Sequence, residues 1–164
     1  MSREAIIAAA VSAAGSAILL FLGALLNHLT SSARYRRQQI AEKEKRRAEK
    51  FEELIAVLFE FNQWLDTLGN IYLFGRNIEE PISPLPRADA IAAVYFPSFR
   101  KKLLALDQKS NAYYLWLLQR AQLRLAGKSM DEVCAGRGEQ FTPYYQLFLD
   151  LIDDLHDFAD REFR

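Results

Sequence analysis

The chain has one cysteine, Cys134, and only two histidines, His28 and His156. A single thiol closes no intrachain disulfide, and Cys134 has no metal-ligand companion at useful spacing. One histidine lies at the end of the longest apolar segment, so no Ser–His–Asp triad can be assembled and Cys134 lacks a histidine base. There is no Gly-rich phosphate loop: Gly136 and Gly138 bracket Arg137, but the spacing matches neither nucleotide fingerprint. No stretch alternates apolar and polar residues long enough for a sheet, and no internal repeat is found. Neither sign of charge dominates, with 21 basic and 21 acidic residues. Together these absences leave no convergent acid–base set. An enzyme, a cofactor and a metal centre are not expected.

What is present begins with a run free of charge from Ala5 to Leu26. A helix over it is about 33 Å long, enough to cross a hydrocarbon core of about 30 Å. A cleaved signal peptide is the rival reading. Its apolar core would be shorter, and its leading flank would be basic, whereas Arg3 is offset by Glu4. The apolar stretch from Leu54 to Phe74 carries Glu60, Asn62, Asp66 and Asn70, which are costly in lipid, so it reads as an amphipathic helix facing water on one side.

Residues 31–50 hold eight Lys or Arg against three Glu, a net charge of +5. The positive-inside rule places this flank in the cytoplasm and the short N-terminus outside, in the cell (inner) membrane. The basic side chains Arg34, Arg36 and Arg37 are candidates for binding anionic lipid head groups, worth about 1 kcal/mol each near the surface. Binding of nucleic acid or a nucleotide messenger is disfavoured, because no aromatic platform is interleaved with the charges. Within the membrane segment Ala9, Ser12, Ser16, Gly23 and Asn27 are the candidate oligomerisation residues. Small residues let helix backbones approach, and Ser or Asn can bond across them.

From Phe51 the pattern changes to a repeat of three and four: Phe51, Leu54, Leu58, Phe61, Leu65, Leu68, Tyr72. This predicts one helix with a single buried seam, stopped by Gly75. Pro81, Pro84 and Pro86 predict a loop over 75–87, and a second helix is expected from about Asp89 until Pro97. A longer helix is expected over 98–126, with Phe99, Leu103, Leu106, Tyr113 and Leu117 inward and Gly127 as its stop. Ser129 and Glu132 suggest a capping box. Thr142 and Pro143 suggest the N-cap and first residue of a last helix, with Leu147 or Phe148, Leu151, Leu155 and Phe158 buried. Residues 139–164 carry a net charge of −5. The run Asp150, Asp153, Asp154, Asp157 and Asp160 reads as a solvated face.

The expected fold is all-α. A single transmembrane helix in residues 1–30 is followed by a basic membrane-proximal helical stalk over 31–50 and a three- to four-helix cytoplasmic bundle over 51–164. The layout of membrane helix, basic Arg34–Lys50 stem and small helical domain resembles small membrane effectors of prokaryotic antiviral defence, as well as other membrane-anchored bundles of bacteria. The resemblance implies a membrane-perturbing or pore-forming effector and carries no residue roles with it. The functional expectation is a non-enzymatic homo-oligomer that touches anionic lipid and binds or senses a protein partner through its bundle. The alternative is a monomeric anchor or adaptor subunit of a larger complex.

Overall fold

The structure is a computed structural model. It describes residues 34–163 in full and, for residues 3–33, the helical course of the backbone alone. The expected membrane segment, residues 5–26, and its small-residue seam lie outside the fully described residues. Among those described, no helix is long and apolar enough to cross a membrane.

The chain is all-α, with no strand among the described residues. Helix α1 runs Arg3–Phe74, α2 Leu85–Tyr95, α3 Arg100–Leu125, α4 Met130–Cys134 and α5 Arg137–Glu162, with a 3₁₀ turn at Pro97–Phe99 between α2 and α3. Contacts divide the chain into two units, Met1–Arg46 and Arg47–Arg164. In the first, residues 34–46 are exposed on every side, as a helix without an apolar stripe must be. Glu42 and Arg46 form the expected i,i+4 ion pair, at 3.7 Å.

The second unit is a helical bundle. On α1 the seam residues Phe51, Leu54, Leu58, Phe61, Leu65 and Leu68 are buried as the spacing predicts, joined by Val57 and Leu73. Tyr72 is only half-buried. Phe51 meets Phe96 and Phe158, while Phe61 and Asn62 meet Tyr144, so α5 runs antiparallel to α1. Phe99 lies against Phe158 at one end, and Arg124 reaches Tyr72 at the other, so α3 runs parallel to α1. All five inward residues expected for α3 are buried, together with Ser110, Trp116 and Ala121.

The ends of α1 and α3 fit the glycine stops. Gly75 has φ 68° and Gly127 φ 75°, the left-handed conformation that a Cβ disfavours. At Gly75 a side chain would also run into the guanidinium of Arg124. That guanidinium donates through Nε to the Tyr72 carbonyl at 3.1 Å, supplying a cation and a donor to the last turn of α1. The Ser129–Glu132 capping box forms as expected and starts α4.

Two starts differ from expectation. Helix α2 begins at Leu85, inside the expected loop, because Pro86 falls in its first turn, where a fixed φ and a missing N–H cost nothing. Burial of Leu85 and Ala88 holds that turn down. Helix α5 begins at Arg137 after left-handed Gly136, so Thr142 is not its cap and Pro143 lies inside the helix. The added turn is held by packing. Phe141 stacks on Tyr145 at 5.5 Å and meets Tyr113 edge-on at 5.3 Å, and this cluster outweighs the local Thr–Pro signal. Along α5, Tyr144, Phe148, Leu151 and Leu155 are buried, whereas Leu147 and Phe158 are half-buried.

Candidate functional site

The lipid-binding candidates Arg34, Arg36 and Arg37 are exposed on α1 in the first unit. Arg34 and Arg37 are three residues apart and share a face, while Arg36 points to another side. Ala9, Ser12, Ser16, Gly23 and Asn27 belong to the segment whose side chains are not described. Within the acidic run of α5, Lys102 pairs with Asp154. His156 is exposed, and no group of acidic, His or Cys side chains among the described residues converges on a metal-sized site.

The bundle contains a groove that periodicity did not reveal. It opens between α2 and α3, over the side of α1, with a volume of about 670 Å³. Its floor is apolar: Phe61 and Trp64 from α1, Leu85 from α2 and Leu103 from α3. Ser110, the buried polar residue among those described, lines it too, with its hydroxyl donating to the Asp107 carbonyl at 2.8 Å. The rim holds Asp89, Arg100, Lys101, Leu104, Asp107 and Asn111. Arg100 pairs with Asp89 at 3.5 Å, and the Asn111 amide approaches Asp107 at 3.4 Å. Leu104 is 59% exposed.

Hydrogen bonds fix the aromatic wall of this groove to the loop beside it. Trp64 donates through Nε1 to the Pro81 carbonyl at 2.7 Å and stacks on Phe61, with centroids 5.4 Å apart. Two residues upstream of that carbonyl's neighbour Ile82, Glu80 accepts from Tyr72 at 2.5 Å and from Tyr114 at 3.2 Å. Burial, and then the bond to Glu80, hold the Tyr72 phenol well above its ordinary pKa, so it stays a donor. A carboxylate gripped by two phenols ties the connection to α1 and α3. Replacing Glu80 with Ala is expected to speed tryptic cleavage after Arg76 roughly fivefold, the response to about 1 kcal/mol of easier local opening. An unchanged rate would show that the Trp64 bond holds the loop by itself.

A sign of the groove exists in the sequence, at Leu103–Leu104. Two adjacent leucines on α3 supply one more apolar position than a single buried stripe needs, and the second of them is the exposed rim. The width of the groove is set by α2, which begins inside the expected loop. No family model, no curated protein and no solved structure matches this chain.

Proposed function

We propose that the chain is a non-enzymatic, single-pass membrane protein that self-associates through its membrane helix and uses its cytoplasmic bundle to bind or sense a partner. A membrane-perturbing or pore-forming effector of prokaryotic defence is the version that the layout favours. One observation carries the reading: a charge-free run, Ala5–Leu26, is followed by a basic segment in which Arg34, Arg36, Arg37, Lys43, Lys45 and Arg46 stand exposed around a helix with no apolar stripe. A segment of that length and composition partitions into lipid, and the basic flank retains its own side in the cytoplasm. Arg34, Arg36 and Arg37 then lie at the depth of anionic head groups.

Self-association rests on Ala9, Ser12, Ser16, Gly23 and Asn27. Without a hydrophobic drive between helices in lipid, close backbone approach and hydrogen bonding supply the attraction. Light scattering of the full chain in mild detergent is expected to show several copies. Replacing both Ser16 and Gly23 with Leu is expected to lower that mass towards a single chain. A monomeric wild-type chain would discard self-association and leave an anchor or adaptor subunit, recognisable by a stoichiometric protein partner on purification.

A further inference from the structure

We propose that the groove between α2 and α3 binds a small organic anion with a flat apolar body, the body lying against Trp64, Leu85 and Leu103 and the anionic group resting on Lys101.

Size and lining come first. Protein interiors leave few voids larger than a water molecule, and about 670 Å³ falls within the range of small-molecule sites, about 300–1,000 Å³. The floor is apolar and the charged groups stand at the rim, the arrangement that lets an apolar body be covered while its polar end is oriented. Leu104, 59% exposed at the edge, is apolar surface that an occupant would cover.

The site is also organised in advance. The Trp64 indole cannot swing freely: its Nε1 is bonded to Pro81, one face lies on Phe61, and Tyr114 stands 6.4 Å away. A ligand stacking there pays little to order the wall.

The sign of the ligand's charge follows from the four ionisable groups at the rim. Asp89 and Arg100 neutralise each other at 3.5 Å. Asp107 is half-buried, and its Oδ1 already faces the Asn111 amide. Of the two cations at the rim, Arg100 is paired and Lys101 has neither an ion pair nor a hydrogen bond among the described residues, while the carboxylate left without a cation, Asp107, is turned to an amide. Its ammonium is a compact point charge suited to a carboxylate, sulfonate or phosphate. It stands in the first turn of α3, where the helix dipole also favours negative charge. The groove therefore has an apolar end at Trp64 and an anion-seeking end at Lys101.

This inference rests on the Arg47–Arg164 unit and does not depend on the membrane reading. The test uses the full purified chain, with the same buffer lacking protein as the blank, and reads ligand binding by saturation-transfer NMR. Naphthoate is the probe, compared with the neutral naphthylmethanol and the cationic naphthylmethylammonium. Saturable naphthoate binding is expected, roughly tenfold weaker for the alcohol and weaker again for the amine. Lys101→Glu is expected to weaken naphthoate at least tenfold. Leu104→Trp, which fills the mouth, is expected to abolish binding. Both residues are exposed, and circular dichroism would verify that each variant keeps its helices. Absence of saturable binding above the blank would overturn the site. Binding that survives Leu104→Trp would place the ligand elsewhere. An alcohol or amine binding as tightly as the carboxylate, or indifference to Lys101→Glu, would overturn the anionic assignment.

Discussion

Replacing Phe96 with alanine is expected to destabilise the bundle by about 3–5 kcal/mol, the usual cost of emptying a fully buried aromatic site. Phe96 is 1% exposed and sits at the bend between α2 and the 3₁₀ turn, with φ −139° and ψ 58°. Its ring meets Phe51 edge-on at 5.3 Å and Phe158 edge-on at 5.7 Å, so it joins the α2–α3 corner to both α1 and α5. The Arg47 guanidinium lies 5.9 Å from the same ring and 5.6 Å from Phe158, and pairs with Glu162 at 2.9 Å. These neighbours hold one another in place, so the cavity cannot collapse cheaply. Each lost edge-on pair adds about 0.5–1.5 kcal/mol beyond the buried area. Val94 is the control. It is 72% exposed, and its replacement by alanine is expected to cost less than about 1 kcal/mol. Both tryptophans, Trp64 and Trp116, lie in the Arg47–Arg164 unit, so urea unfolding followed by tryptophan fluorescence reports this unit alone. A loss below about 1.5 kcal/mol for Phe96→Ala would mean that the corner repacks around the smaller residue.

The parts of this core that the sequence reveals are those governed by helical period. On α1 and α3 the buried side chains repeat every three or four residues, and each glycine stop coincides with a left-handed backbone. Where contacts between helices decide, local signals mislead. Thr142–Pro143 has the chemistry of a helix start, yet Phe141 is gripped by Tyr113 and Tyr145, and the helix begins a turn and more earlier. The three prolines at 81, 84 and 86 look like one loop, yet Leu85 and Ala88 are buried and draw α2 back into it. Tyr72 ends the α1 seam in register but is half-buried, because its hydroxyl turns to Glu80. The groove was the least visible feature. It arises from the distance between α2 and α3, and no spacing within either helix encodes that distance.

Alkali is expected to unfold the bundle through its interior tyrosines. Tyr113 and Tyr144 are 1% and 0% exposed. Burial raises the Tyr144 phenol far above its ordinary pKa, with the negative charge of Asp66 adding to it. Burial also raises Tyr113, against the opposing pull of the Arg137 side chain. A phenol with a raised folded pKa stabilises the fold fully below the unfolded value of about 10, and that contribution is lost as pH climbs towards the folded value. In that window Tyr144 removes up to about 1.4 kcal/mol of stability per pH unit, and Tyr113 adds to the loss in the same direction. Tyr144→Phe separates this effect from the titration of lysines. Near pH 8 the variant is expected to be less stable by about 1 kcal/mol, because the Tyr144 hydroxyl donates to Asn62 Oδ1 at 3.1 Å and the amide oxygen loses that partner. Above pH 10 the variant no longer carries the Tyr144 penalty, so its stability falls less steeply. The two curves, from urea midpoints followed by circular dichroism, are expected to cross within about one pH unit. Parallel curves from pH 9 to 11 would show that Tyr144 titrates in the folded bundle as it does in the unfolded chain, and that water reaches its hydroxyl.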